Sequence, residues 1–372
     1  MAIVLGISLV IPLWAPAVAG PLEDAIAKAP QGTGKGQIDP KAEPGYLGIP
    51  GGLKVNIILA FCWAIWVGWI FSTVGAFGGI MAGVGHISVF GLSNYGRSFK
   101  DTSPTLDKLI TDSIRVSNQY LVGLSGLISS INYWRMGRLV LPLAVALGLG
   151  SIVGSSLVAN LTAGKVSGST YMGYFGLIVF VLAIFLIYQI TPRGQASKKA
   201  AKEAVQKFEK AVKEKKDTAD AGVKITKWSA GGIFFTFYGV EFKFNPWLAI
   251  FGGLIISGIS AFIGVGGGFL LVPYMTAVVG IPMFIAAGTS ALAVLVSMIT
   301  SIFSYMVVQG AVVHWSLIGV ELIGIFIGST IGPYTSKYIP DKYLQIIFIA
   351  AAVYVGLGYT TKGFLGQAIV PM

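Results

Sequence analysis

Gly264-Val265-Gly266-Gly267-Gly268-Phe269-Leu270-Leu271-Val272-Pro273 lies inside an otherwise membrane-length apolar stretch. Glycines and a proline weaken a helix, and lipid offers no water to replace the backbone hydrogen bonds that are lost. Irregular backbone at that depth is sustained only where protein buries it or a polar cavity runs beside it. The run therefore predicts a helix interrupted to expose N–H and C=O groups, as in the binding sites of transporters.

The rest of the chain provides the membrane context. Of its 372 residues, 55% are hydrophobic and only 11% charged, against roughly 25% charged in soluble domains. The apolar runs are continuous and helix-length, which excludes a transmembrane barrel with its alternating ten-residue strands. The fold expected is an all-α polytopic membrane protein. Its net charge of +11 is concentrated in a few loops, as membrane topology demands, so no nucleic-acid partner is expected. Membrane lipid is the partner the composition requires. Cys62 is the only cysteine; alone it can form no intrachain disulfide or metal cluster, and it reads as a small apolar residue packed in a helix.

Residues 1–19 read as a signal peptide or a first helix, and 20–54, rich in Gly, Pro and mixed charge, as an extracytoplasmic loop. Apolar units then recur in two sets of five, over 55–190 and 245–362, joined by a basic linker at 191–244 and followed by a tail at 363–372. Gly83-Val84-Gly85 matches Gly264-Val265-Gly266, Ser117-Asn118 matches Thr289-Ser290, Asn132-Tyr133 matches Ser304-Tyr305, and Gly154-Ser155 matches Gly328-Ser329. Each half holds an odd number of crossings whether its first two units span fully or form a re-entrant hairpin. The two sets are therefore expected to be inverted repeats with broken or re-entrant glycine-rich segments. Lys and Arg favour the face that carries the linker, making that face cytoplasmic. Within the linker, Ser197 to Lys216 predicts a short helix with a narrow apolar stripe. Asn94 to Arg115 reads as a polar insertion of the first half. Arg115, Arg135 and Arg138, at predicted span ends, read as snorkelling residues.

Intramembrane catalysis needs a nucleophile with a base, paired acids or metal ligands at helical spacing, and no such motif is present. No catalytic residue, metal site or cofactor is expected. The row Gly324, Gly328, Gly332 has the regular spacing of a helix-packing face.

The string from Gly264 to Pro273, the turn Gly288-Thr289-Ser290-Ala291-Leu292 and the Gly328-Ser329 helix resemble the TauE/SafE family of sulfite and sulfonate permeases. The likeness is strongest over Asn245 to Thr361. It implies a permease of the bacterial inner membrane for a small anionic sulfur compound, most often an exporter. The sequence departs from the family pattern at His86-Ile87, in the insertion at Asn94 to Arg115 and in its long amino-terminal extension.

The residues themselves also favour a small anion. Between Lys243 and Lys337 there is no Lys or Arg, so an anion held by the second half must be held by backbone N–H groups, hydroxyls and helix ends. The expected substrate site joins Gly83, Gly85 and His86 to Gly264, Gly266, Gly267 and Gly268, flanked by Ser117, Asn118, Thr289 and Ser290. Ser and Thr in such helices also bond back to their own backbone, which leaves their role open. His86 and Glu321 are the ionisable groups placed to carry a proton in coupling. Alternating access by a permease is the leading expectation. A cation or metal permease on the same scaffold, and a non-transporting scaffold acting through the linker, remain as alternatives. A homo-oligomer is compatible with the sequence.

Overall fold

The computed structural model describes residues 20–74, 77–191, 222–229, 231–336, 338 and 341–370. The expected signal peptide or first helix at 1–19 and the linker helix at 197–216 lie outside the described residues. Short helix α1 (Pro21–Lys28) precedes α2 (Ile57–Val74) and α3 (Phe77–Val84), which continues as a π turn over Gly85–Val89. Then come α4 (Leu92–Ser98), α5 (Pro104–Arg135), α6 (Leu141–Thr162) and α7 (Gly168–Ile190). Strands β1 (Lys224–Ser229), β2 (Gly232–Phe237) and β3 (Val240–Phe244) lead into α8 (Pro246–Ile263). The chain ends with α9 (Gly268–Tyr274) and its π turn Met275–Val279, then α10 (Met283–Phe303), α11 (Trp315–Ser336) and α12 (Asp341–Leu365).

The molecule is mostly helical, as expected of a polytopic membrane protein. Five described helices are long and apolar enough to cross a membrane. Their composition shows two kinds of face. On α6, Val145, Leu149, Val153, Leu157 and Leu161 point outward at four-residue spacing, each about half exposed, while Gly150, Ser151, Gly154 and Ser155 are buried. Large apolar side chains facing outward and small ones facing inward are what lipid and close helix contact respectively demand. Cys62 also lies on an exposed face of α2 rather than in the core.

The small residues set the packing. A Cβ on Gly154 would overlap the Leu254 carbonyl, and one on Gly253 the Leu147 carbonyl, so α6 and α8 lie backbone to backbone. In the same way Gly324 and Gly328 of α11 sit on Phe61 and Ile65 of α2. The expected packing row on α11 is thus occupied by a helix from the other half of the chain. Two further pairs cross antiparallel: α5 meets α10 where Gly123 faces Met298 and Tyr133 faces Gly288, and α7 meets α12 where Gly173 faces Gly363 and Phe180 faces Gly356.

Each half opens with a helix that doubles back. Gly78 packs on Phe71 and Gly85 on Trp63, whose Nε1 donates to the Met81 carbonyl at 3.0 Å, so α3 runs back along α2. Tyr274 donates to the Leu248 carbonyl at 2.8 Å and Gly267 packs on Ser260, so α9 runs back along α8. Both segments whose course the sequence left open thus run back along the preceding helix.

Three features differ from expectation. Residues 104–115, within the expected polar insertion, form the first turns of α5, a helix of 32 residues of which 22 are buried. Gly83-Val84-Gly85 is helical rather than a break, one short helix further along than Gly264-Val265-Gly266. Finally, the end of the linker forms a three-stranded antiparallel sheet, β1-β2-β3. Its second hairpin turns at Tyr238-Gly239, both with positive φ, as a tight two-residue turn requires. The sheet joins the Arg135 end of α5 through Val223 N–H donating to the Gly137 carbonyl at 2.9 Å.

Candidate functional site

Helix α5 is polar and yet enclosed. Ser113, Arg115, Ser117, Asn118, Gln119, Ser125 and Ser129 are all buried, with α10, α11, α2 and α3 packed around them. Polar side chains in such a place must find partners or leave donors and acceptors unmet.

Near the middle of α5 they meet two other helices. His86, in the π turn after α3, brings Nδ1 to 2.6 Å from Asn118 Oδ1. Its Nε2 lies 3.2 Å from Oε2 of Glu321 on α11, and all three residues have no exposed surface. Because the amide oxygen can only accept, Nδ1 carries a proton and donates. Nε2 then either accepts from a protonated Glu321 or donates to its carboxylate, two states that differ by the position of one proton. Asn118 Nδ2, Glu321 Oε1 and both amide atoms of Gln119 have no hydrogen-bond partner.

One turn away on α5, Arg115 is also fully buried. Its guanidinium donates to Asp112 Oδ1 at 2.9 Å, to Thr162 Oγ1 at 2.8 Å and to the Ala261 carbonyl at 3.3 Å. It lies 4.7 Å from the centre of the Tyr305 ring and 5.4 Å from that of Phe262. Its Nε has no partner. Asp112 is held in turn by the Gly164 N–H at 2.5 Å.

The glycine run closes the site from the second half. Helix α8 stops at Ile263, and Gly264 (φ 70°) and Gly266 (φ 71°) turn the chain in a left-handed conformation that other residues adopt at a cost. The carbonyls left at the end of α8 are capped from the first half of the chain, Ala261 by Arg115 and Ile263 by the Tyr171 hydroxyl at 2.7 Å. Gly264 rests on the backbone of Arg115, and Gly266 faces Val122. On the other side a Cβ on Gly79 would overlap the Val265 carbonyl, and Gly83 packs on Phe175 and Val265. The turn is wedged between α3 and α5 at the level of Asn118.

A family model described as "Sulfite exporter TauE/SafE" matches residues 59–359. The chain belongs to the TauE/SafE family. A comparison with curated proteins found no match, and neither did one with solved structures. TauE/SafE is a transporter family, in keeping with a multi-pass membrane protein. In this TauE/SafE chain the model starts inside α2, so the folded segment before it lies outside the family match.

Among the residues singled out in the sequence, the fold gathers Gly83, Gly85, His86, Ser117, Asn118, Glu321 and the turn at Gly264, Gly266, Gly267 and Gly268. Ser117 bonds back to the Ser113 carbonyl at 2.7 Å. Thr289 and Ser290 do not join them. Thr289 accepts from the Val140 N–H at 3.1 Å and Ser290 donates to the Ala287 carbonyl at 2.9 Å. The reason is the antiparallel crossing of α5 and α10, which sets residues at matching positions roughly 20 Å apart along the axes. Arg115 is the residue whose place the sequence reading mistook: it is a buried cation against the second half's turn, not a snorkelling end residue. Asp112 three residues before it, on a helix that begins at Pro104, was the available signal. Among the described residues no group of three His, Cys, Asp or Glu could hold a metal ion.

Proposed function

We propose that this protein is a secondary permease that carries a small sulfur oxyanion, sulfite or a short organosulfonate, out of the cell by alternating access. The observation that carries this reading is Arg115, buried against the Gly264 turn and one helical turn from Asn118. A helix end supplies only about half a charge, whereas an ion stripped of water loses several kcal/mol of solvation that a full counter-charge must offset. Arg115, paired with Asp112 through one N–H, keeps its Nε without a partner and can offer it to a solute oxygen, with Asn118 and Gln119 amide donors and the N–H groups of the glycine turn completing the cradle.

His86 and Glu321, sharing one proton between Nε2 and Oε2, are suited to exchange that proton as the anion binds and leaves. Asn118 links the two functions, since its oxygen holds His86 while its Nδ2 is free for the solute. The antiparallel pairing of α5 with α10 and of α7 with α12 supports an architecture of inverted repeats. The two hairpins would then be the elements that alternate. A buried arginine weighs against the cation-permease alternative.

The test is flux and ligand stabilisation with purified protein. Sulfite, taurine and sulfoacetate are expected to raise the melting temperature, and sulfite to exchange across proteoliposomes in a manner abolished by R115A. No stabilisation by any sulfur oxyanion, or parental flux in R115A, would overturn the reading.

A further inference from the structure

The segment before the family match is not a loose tail. Ile38, Tyr46 and Ile49 are buried, and 43–53 is a closed turn. Gly51 N–H donates to the Glu43 carbonyl at 3.0 Å, Tyr46 N–H to Leu53 at 2.9 Å and Gly45 N–H to Ile49 at 2.9 Å. Lys54 and Glu43 pair at 2.5 Å across its base. Gly36 and Gly52 seat the segment closely on the backbone of Ser98 and the Tyr95 hydroxyl.

The tip of this turn enters the helix bundle. The Tyr46 hydroxyl lies 3.0 Å from Ser113 Oγ on α5, and its ring is 5.4 Å from that of His314, which immediately precedes α11. The next residue, Leu47, donates its N–H to His314 Nδ1 at 3.0 Å and holds φ at 57°, a conformation uncommon for a leucine. Tyr46 therefore spans α5 and the start of α11. These two helices hold Asn118 and Glu321 one to two turns deeper, Asn118 five residues after Ser113 and Glu321 seven after His314.

We infer that Tyr46 is a further residue of the solute site, its outer wall, and that the segment 43–53 is a plug which must withdraw before solute can pass between α5 and α11 on that face. The inference rests on the transport reading for what passes, but not for the plug itself. A phenol suits the position: its ring fills an apolar mouth, while its hydroxyl holds Ser113 when the plug is seated and can meet a solute oxygen when it is not. The plug lies before the family match, which begins at residue 59.

Cysteine accessibility tests the plug without any substrate. In a C62S background, S113C is reacted with a membrane-impermeant methanethiosulfonate, applied to each face in turn. With Tyr46 or Y46F the reaction is expected to be slow from both faces, and with Y46A at least tenfold faster from the face that carries the segment. Y46L, which fills the mouth but cannot reach Ser113, is expected to react at an intermediate rate and serves if Y46A does not fold. Equal rates in Tyr46 and in the folded Y46A or Y46L protein would overturn the plug. A protein with no sulfite flux but the expected ordering of rates would sink the transport reading and leave the plug standing.

Discussion

His86 Nε2 and Glu321 Oε2 stand 3.2 Å apart across 235 residues of sequence, with no exposed surface on either. Removing either partner strands the other. H86A is expected to leave both Asn118 and Glu321 short of a bond, at about 1–3 kcal/mol for each stranded group, and so to lower the melting temperature clearly. E321Q keeps a side chain able to bond His86 and should melt within a few degrees of the parent. Its flux should nevertheless lose its dependence on a pH gradient, measured in proteoliposomes with and without an imposed gradient. A parental response to the gradient in E321Q would remove Glu321 from coupling.

Arg115 and Asp112 allow stability to be separated from transport. R115A leaves Asp112 buried without its cation and should destabilise by about 3–5 kcal/mol. R115A/D112A removes both charges and should recover most of that loss in denaturation measurements. Flux should not recover, because the guanidinium donor is still absent. R115K keeps the charge without the fork that reaches Asp112 and Thr162 together, and flux well below the parent is expected.

Adjacent glycines in the turn should differ sharply. Gly266 has φ 71° and faces Val122, so G266A combines a left-handed alanine, about 1–2 kcal/mol, with a steric clash. Gly267 has an ordinary helical φ of −67°, and the atoms around it allow a methyl group with little adjustment. Thermal melts should therefore rank G266A well below G267A, and G267A near the parent. G267L, in contrast, thrusts a branched side chain toward Ser260 and Ile256, and its flux should fall.

How much of this was legible in the sequence depended on whether a signal was local. His86, Asn118 and Glu321 stand out because ionisable or amide groups in apolar runs are conspicuous one at a time. Their convergence could not be read, since it depends on a hairpin that folds α3 back along α2. The break at Gly264 was visible because two left-handed glycines leave a local mark. Its supposed partner at Gly83 was not a break, because a Gly-x-Gly spacing serves close packing against Phe175 and Trp63 equally well. Arg115 was hidden because the apolar run begins only at Val116: the helix starts twelve residues earlier, and its early polar residues face inward. The alternation Ile233, Phe235, Phe237 and then Val240, Phe242, Phe244 around Tyr238-Gly239 does carry the period of a hairpin, but it lay at the end of a segment whose charge dominated its reading.

The plug should respond to acid through His314. Burial holds this imidazole below its ordinary 6.5, because the neutral ring, accepting from Leu47 N–H, is the form that fits. The groups facing it are the Tyr46 ring, the Leu47 N–H and the Ser316 hydroxyl, 2.9 Å from Nε2. The contact is at full strength above about pH 6.5. As pH falls below that value the released state takes up a proton first, and seating weakens. Burial also pushes the Tyr46 phenol up to about 12, so it stays neutral throughout this range. S113C labelling, normalised at each pH to the rate of a fully exposed cysteine because thiolate reactivity falls with acid, should speed up between pH 7.5 and 5.5, and H314Q should flatten that rise. An unchanged normalised rate across the range would exclude His314 as the sensor.

The glycine-lined seams between α2 and α11 and between α6 and α8 have a consequence for assembly. Each hairpin lies against a helix made by the opposite end of the chain, so neither set of five is a freestanding body. A ribosome that has finished only residues 55–190 has produced a bundle with one groove still empty and one hairpin still unseated. Insertion can be completed only when the late helices arrive to lock the early ones, and the last third of translation thereby becomes the step that commits the whole molecule.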